Sequence, residues 1–411
     1  MIRKLERVYV TGMGVASPLG CTLTEFWEEL LDGRSGVTAL TDEVYAHLSS
    51  RIGALVSSYD PDAHFSSKEA RRMSHSSQLA IVATERALSH AQLVDNTFDR
   101  STVGVIIGSS IGGFSASDLA FKSFYERGRN SPFSIPISMN LGPSSNVSIR
   151  YGFQGPLMAV DAACASAAHS IGHAFHLIRT GMLDIAVTGG ADSPFAPPIV
   201  AAWCALRALS ERNDNPGEAC RPFSRDRDGL ALGEGAGVLI LESARSANRR
   251  GVQPLAEIKG YGASADSYHL TQPTIDGPVQ AMRRAIADSG LAPEEIQYIN
   301  AHGTGTEAND KNETAAIKTV FGSHAYRIPV VGIKAALGHS IGASAALELI
   351  SCVLSLRDQV VPPTINYKVQ DPECDLDYVV KGRRPREIHN ALSNSFAFGG
   401  SNAALIVGET S

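Results

Sequence analysis

One thiol, two imidazoles and one ammonium stand out by position. Cys164 lies in Val160-Asp161-Ala162-Ala163-Cys164-Ala165-Ser166-Ala167-Ala168, and His302 in Asn300-Ala301-His302-Gly303-Thr304-Gly305-Thr306. Lys334 and His339 share Gly332-Ile333-Lys334-Ala335-Ala336-Leu337-Gly338-His339. Each follows an apolar, strand-like run where small residues begin. A thiol and two imidazoles presented this way point to nucleophilic catalysis at a carbonyl. Cys164 precedes a helix-like run, Ala165 to Arg179. There, unpaired N–H groups and the helix dipole favour a thiolate, and the same N–H groups can hold an oxyanion. Two neutral imidazoles can donate to one thioester oxygen. Lys334 would hold positive charge beside them and keep a histidine neutral. The glycines after His302 let backbone approach a ligand closely, and Thr304 and Thr306 offer hydroxyls to a long polar arm.

Simpler explanations exist for each residue alone. A cysteine among alanines is commonly a small packing residue, a description that fits Cys204, Cys220, Cys352 and Cys374. A histidine in a glycine turn is commonly solvated or a cap. His169, His173 and His176 recur at helical spacing, yet no acidic residue or cysteine completes a metal set around them.

The elements that would carry these residues occur twice. A helix-like stretch at 76–93 is followed by the strand and glycine turn Val103-Gly104-Val105-Ile106-Ile107-Gly108-Ser109-Ser110-Ile111-Gly112-Gly113. A second helix at 279–291 is followed by Ile296-Gln297-Tyr298-Ile299-Asn300-Ala301-His302-Gly303. Each half then offers another strand (156–162, 328–334) and another helix (164–180, 342–357). The repeat predicts two fused copies of one α/β unit, with the site at the carboxyl ends of their strands. Residues 114–150 have no counterpart and read as an irregular insertion, a cap or an interface.

With 411 residues, 44% hydrophobic and 19% charged, the chain suits a duplicated globular fold. Its formal net charge of -6 argues against nucleic acid as a partner. Six cysteines without a C-x-x-C pair do not make a disulfide scaffold and fit a reducing cytoplasm. No signal-like apolar core follows Met1 to Arg7, and no uncharged run is long enough for a membrane span.

Taken together, the segments resemble the β-ketoacyl-[acyl-carrier-protein] synthases of the thiolase-like superfamily, most closely the synthase II type. The resemblance extends over nearly the whole chain. It includes Val8-Tyr9-Val10-Thr11-Gly12-Met13-Gly14-Val15, Gly108-Ser109-Ser110-Ile111-Gly112-Gly113, and Arg207-Ala208-Leu209-Ser210 with Asn213-Asp214-Asn215-Pro216. It continues through Arg221-Pro222-Phe223, Arg227-Asp228-Gly229 and Leu232-Gly233-Glu234-Gly235-Ala236-Gly237, and closes with Ser393-Asn394-Ser395-Phe396-Ala397-Phe398-Gly399-Gly400-Ser401-Asn402.

That resemblance implies a duplicated, five-layered α/β/α/β/α fold, with halves at 1–251 and 252–411. It implies that Cys164 takes an acyl chain from an acyl carrier protein. His302 and His339 then bind the malonyl thioester carbonyl and promote decarboxylation, and the carbanion attacks the acyl-Cys. Lys334 supports them with Glu348 as its ionic partner. The N–H groups of Cys164 and Phe398 form an oxyanion hole, and Phe398 is a gate. Thr304 and Thr306 contact the phosphopantetheine arm, which the carrier supplies, so no bound cofactor or metal is needed. Asp310 and Glu313 are structural. Ile111 and Trp203 line the acyl pocket. Lys68, Arg71, Arg72 and Arg207 face the acidic carrier. A homodimer pairs the strand from Leu157 to Asp161 with its copy; a heterodimer with a related subunit is the alternative.

Four positions depart from the family's common pattern: Ala335, Gly305, Ala397 and Trp203 stand where serine, serine, glycine and phenylalanine are usual. They bear on acyl preference and on the choice between fatty-acid synthesis and a specialised polyene or polyketide pathway. Trp203 should shorten the pocket or stack on an unsaturated chain. Ala397 should restrict the gate. Other readings are a non-catalytic chain-length-factor-like subunit, which would lack Cys164, and a coenzyme A thiolase, which would use a second cysteine. A cysteine hydrolase would need a base-orienting Asp or Asn.

Overall fold

Each half of the chain builds the same five-stranded sheet. The computed structural model describes residues 5–93 and 98–410. In the first half the strands are β1 (Val8–Ala16), β2 (Gly104–Gly108), β3 (Leu157–Val160), β4 (Ile185–Asp192) and β5 (Gly235–Ser243). In the second they are β6 (Ala256–Ala265), β7 (Tyr298–Asn300), β8 (Val330–Val331), β9 (Asn390–Phe396) and β10 (Ser401–Gly408). The hydrogen-bonded order is β8-β7-β9-β10-β6-β1-β5-β4-β2-β3. Read outward from the centre, both halves run first, fifth, fourth, second, third. The pairing directions match as well: β1–β5 and β5–β4 are antiparallel, β4–β2 and β2–β3 parallel. Correspondingly, β6–β10 and β10–β9 are antiparallel, β9–β7 and β7–β8 parallel. The halves join where Val8–Val10 of β1 meets Ala256–Ile258 of β6.

Helices complete five layers. Helix α1 (His75–His90) packs on β1, β5 and β4, outside the first sheet. Gly12 and Gly14 of β1 are required beneath it, since a Cβ at Gly12 would lie 2.3 Å from the Ala87 carbonyl oxygen. Two helices lie between the sheets: α5 (Ser166–Arg179) touches β4, β2 and β10, and α8 (Ser344–Asp358) touches β5, β9 and β10. A helix enclosed on both sides must bury its whole circumference. Accordingly, every α8 residue from Ser344 to Leu356 is buried, and small residues let the sheets close on it. Helix α6 (Asp276–Ser289) covers β6 and β10 from outside, with α7 (Glu307–Phe321) beside it. The expected five-layered, duplicated α/β architecture is present.

The 114–150 segment differs from expectation. It is helical rather than irregular: α2 (Phe114–Arg127), α3 (Ser134–Ser138) and α4 (Gly142–Tyr151). Gly128 and Gly152 end two of these helices in left-handed conformations that a side chain disfavours. Leu119, Phe121, Phe124, Tyr125, Ile135 and Ile149 face outward, exposed, which blurs the amphipathic pattern from which a helix is read.

The two sheet edges are unlike. Val330 and Val331 of β8 are fully buried, and the Val330 N–H donates to the Asp377 carbonyl at 2.8 Å. Leu157 and Met158 of β3 are 40% and 38% exposed.

Candidate active site

All four chemistry-bearing residues converge from loops at the carboxyl ends of β3, β7 and β8. Cys164 follows β3 in a short 3-10 turn, Ala163–Ala165, that runs into α5. Ala163 holds a left-handed φ of 48°, a conformation costly for a residue with a Cβ and retained only where the surroundings impose it. The matching turn before α8, Ile341–Ala343, begins with Ile341 at φ 45°. The sequences align as Ala163-Cys164-Ala165-Ser166-Ala167-Ala168 and Ile341-Gly342-Ala343-Ser344-Ala345-Ala346. Cys164 therefore has Gly342 as its repeat partner. A Cβ on Gly342 would meet the Asp192 carboxylate at 2.5 Å.

A sulfur of Cys164 and one ring nitrogen from each of His302 and His339 lie within 4.8 Å of one another, all buried. The imidazole rings stand nearly perpendicular, 84° apart, with centroids 5.5 Å apart. Each ring is fixed from behind. The Lys334 ammonium lies 3.3 Å from His302 Nδ1 and donates to the His302 carbonyl at 2.7 Å. It also pairs with Glu348, as expected. An ammonium has no lone pair, so His302 Nδ1 accepts and the proton sits on Nε2. The Ile341 N–H donates to His339 Nδ1 at 3.2 Å, which likewise puts the His339 proton on Nε2. His339 Nε2 has no protein partner. Burial, reinforced by Lys334, holds both histidines well below their ordinary pKa, so both are neutral N–H donors.

The thiol departs from expectation. Burial pushes Cys164 up to about 11, although Lys334 and the N–H groups of Phe398 and Cys164 itself pull the other way. The helix terminus is where the sequence places it, but loss of water around the sulfur outweighs it. Those two N–H groups favour the thiolate form of the sulfur.

The second tier pins the loops. Glu313 accepts the His302 and Gly303 N–H groups at 2.8 and 2.9 Å and Asn394 Nδ2 at 3.1 Å. Asp310 accepts the Phe223 and Gly305 N–H groups at 2.7 and 3.2 Å and faces Arg227. Burial raises both carboxyls, Glu313 to about 7. Gly303 and Gly305 adopt φ of 44° and 78°, which lets the backbone turn under these carboxylates. Asp192, which the sequence reading passed over, ties the turn after β2 to the turn before α8. It accepts the N–H groups of Ser110, Ile111 and Gly342 at 3.0, 3.1 and 2.8 Å. Its signal was an acid ending an apolar strand, in Gly189-Gly190-Ala191-Asp192.

A cavity of about 410 Å³ opens onto the three reactive atoms. Thr304 and Thr306 line it, their hydroxyls 2.8 Å apart, together with Trp203, Arg207 and Phe398. Trp203 stacks on Phe398 with centroids 5.7 Å and planes 25° apart. Ile111 does not line this cavity. It packs with Trp203, Phe195, Val200 and Ile341 in an apolar cluster. Ala397 sits at φ -126°, ψ 155°, ordinary extended backbone, so its Cβ does not strain the chain next to Phe398; the left-handed positions are Gly399 and Gly400. Lys68, Arg71 and Arg72 are exposed on and just after a short helix, Ser67–Ala70, away from the cavity lining, with Arg72 over the Phe133 ring at 4.7 Å. Both ring nitrogens of His169 are engaged, with Tyr261 and Ser401. All six cysteines are free.

A thiol with two backbone N–H groups beside it, facing two neutral imidazole donors, is suited to acyl transfer followed by stabilisation of a thioester enolate. Comparison with known proteins gives the same class. Residues 5–247 match the model of the beta-ketoacyl synthase N-terminal domain, and residues 255–368 that of its C-terminal domain. The chain belongs to the beta-ketoacyl synthase family. It is 41% identical to "3-oxoacyl-[acyl-carrier-protein] synthase 2" of Synechocystis sp., over 97% of each chain. It is also 41% identical to "Nodulation protein E" of Rhizobium meliloti, over 97% of this chain and 98% of the other. Among solved structures it resembles the ketosynthase assembly AntDE:AntF, described as a type II PKS acyl-carrier protein in complex with its ketosynthase bound to the hexaketide. That match has a TM-score of 0.92 and 30% identity, and covers 99% of this chain and 100% of the other.

Proposed function

We propose that this condensing enzyme extends an acyl chain carried by an acyl carrier protein, in type II fatty-acid synthesis. Cys164 attacks the acyl thioester; the carrier's thiol leaves with the proton and the acyl group stays on sulfur. Malonyl-carrier then binds with its thioester oxygen toward His302 and His339 Nε2–H. Loss of carbon dioxide leaves the electron pair as an enolate that these donors stabilise, and its carbon attacks the acyl-Cys carbonyl. The Cys164 and Phe398 N–H groups hold the resulting oxyanion until the thiolate leaves and 3-oxoacyl-carrier forms. The carbanion arises by decarboxylation, so the reaction proceeds without a metal or a bound cofactor.

The observation that carries this reading is the pair of fixed Nε2–H tautomers beside the thiol. Lys334 and the Ile341 N–H occupy the opposite nitrogens, so the histidines donate rather than accept. That suits charge developing on an oxygen and does not suit the base of a hydrolase. Thr304 and Thr306 receive the phosphopantetheine arm, and Arg207 at the cavity and Lys68, Arg71 and Arg72 on the outer surface meet the acidic carrier; Ile111 acts on the acyl chain only through the apolar cluster it shares with Trp203. The exposed β3 edge and the apolar face of α2 are covered by a second copy of the chain. No helix of the described residues is long and apolar enough to cross a membrane; we place the enzyme in the cytoplasm.

Cys164→Ala should remove covalent acylation by acyl-carrier, read by intact mass, and lower condensation by at least about a thousandfold. Persistent acylation of the variant refutes the assignment. A second reading, a ketosynthase of a specialised polyene or polyketide pathway, is favoured by the Trp203–Phe398 stack, which places a flat aromatic wall beside the nucleophile. The acyl groups trapped on Cys164 from a mixed carrier pool separate the two: long saturated chains support fatty-acid synthesis, conjugated or polyketide chains the alternative.

A further inference from the structure

We propose that Ser344 is a positioning residue for His339, its hydroxyl locking the imidazole in the tautomer that presents Nε2–H to the reacting centre. The inference rests on the reading of His339 as a donor to the malonyl carbonyl. Ser344 Oγ lies 2.9 Å from His339 Nδ1, and the Ile341 N–H lies 3.2 Å from the same nitrogen. A backbone N–H can only donate, so Nδ1 carries its lone pair toward both groups, and the Ser344 hydroxyl must donate as well. Its own lone pairs are free to accept from Ser340 Oγ at 3.2 Å. The result is a buried chain of donors from Ser340 through Ser344 to Nδ1, with Nε2 pointing unpartnered into the cavity.

The repeat shows that this use of the serine is particular to the second half. Ser166 occupies the same turn position ahead of α5. Its hydroxyl accepts the Ala162 N–H at 2.9 Å and donates to the Ala163 carbonyl at 2.7 Å, closing its own loop. In the second half the hydroxyl is turned onto the histidine instead. With Ser344 removed, Nδ1 keeps only the longer backbone contact. The neutral ring is then less favoured, and its orientation less restricted. The other ionisable groups facing the ring do not replace that contact: Cys164 and His302 stand on the Nε2 side, Lys334 and Glu348 behind His302, and Asp192 on the Gly342 N–H.

The test compares the wild type with Ser344→Ala and Ser344→Thr. Ser344→Ala should lower malonyl-carrier decarboxylation by about three- to tenfold, the effect of one neutral hydrogen bond. It should shift the acidic limb of the decarboxylation pH profile to higher pH and leave acyl transfer to Cys164 within about twofold. Ser344→Thr, which keeps the hydroxyl, should recover most of the loss. Histidine-selective nitrogen NMR, with the His339 signal assigned from its loss in His339→Ala, should show the Nδ1 resonance move in Ser344→Ala. An unmoved resonance, or a moved one with unchanged decarboxylation and pH profile, overturns the proposal. Should Ser344→Ala fail to fold, Ser340→Ala, which removes the upstream donor, should move the same resonance by less; no movement overturns it. Unimpaired decarboxylation in His339→Ala is a separate result, and it overturns the underlying reading of His339 instead.

Discussion

The two halves of this protein share a fold and bring different side chains to one site. After its third strand, each half makes a turn through a left-handed residue, Ala163 or Ile341, and enters a helix between the sheets. The first half puts Cys164 in that turn, at the end of a strand with an exposed edge. The second puts Gly342 there and spends the preceding residues on Lys334 and His339, beside an edge closed by the Asp377 segment. A duplicated scaffold thus delivers a thiol from one side and fixed imidazole N–H donors from the other. The reacting atoms meet at the strand ends because the pseudo-symmetric loops face each other there.

The sharpest way to break this division is through the donors. His302→Ala and His339→Ala should each lower decarboxylation by about a hundred- to a thousandfold, with acyl transfer to Cys164 losing about tenfold or less. Equal loss in both half-reactions, measured as carbon dioxide release and as acyl-enzyme formation, contradicts the split.

The contrast between edges is tested by placing lysine on each. Val330→Lys buries an unpaired charge and should cost several kcal/mol, on the order of 3–5, read as a large fall in melting temperature. Met158→Lys sits on the exposed edge and should leave a folded chain while weakening self-association, read by light scattering. An undisturbed dimer in Met158→Lys, or a stable Val330→Lys, removes the distinction.

The thiol offers a subtler check. With the Cys164 thiol at about 11, about one sulfur in ten thousand is ionised near neutral pH. Alkylation by a small neutral reagent should therefore rise about tenfold per pH unit from about pH 7 to about pH 10. Lys334→Met, which removes the charge favouring the thiolate, should slow it. A plateau below about pH 8 would show that the helix terminus overcomes burial after all.

The smallest effect expected is on docking. Reversing Arg71 and Arg72 to glutamate should raise the apparent KM for acyl-carrier several-fold at low salt, about 1 kcal/mol or less per exposed charge. Small-reagent alkylation of Cys164 should not change. An unaltered KM makes this face an ordinary solvated one.

The sequence alone determined the duplication and the strand-to-helix positions of Cys164 and His339, and it singled out the thiol, two imidazoles and ammonium that the fold brings together. It could do so because turns, glycines and strand periodicity are local, and because the repeat states each of them twice. The helical character of residues 114–150 escaped it, since their apolar residues stand exposed on the outer face and blur the amphipathic pattern. Only the tertiary structure decided the ionisation of Cys164, which depends on how completely other segments exclude water, and the tautomers of His302 and His339. Those tautomers are set by Lys334, Ile341 and Ser344 through contacts no spacing rule predicts. It also decided that Trp203 stacks on Phe398, almost two hundred positions away, and that Asp192 joins the turn after β2 to the turn before α8. Local sequence names the groups; desolvation and hydrogen-bond partners, which are properties of the packed whole, fix their charge and orientation.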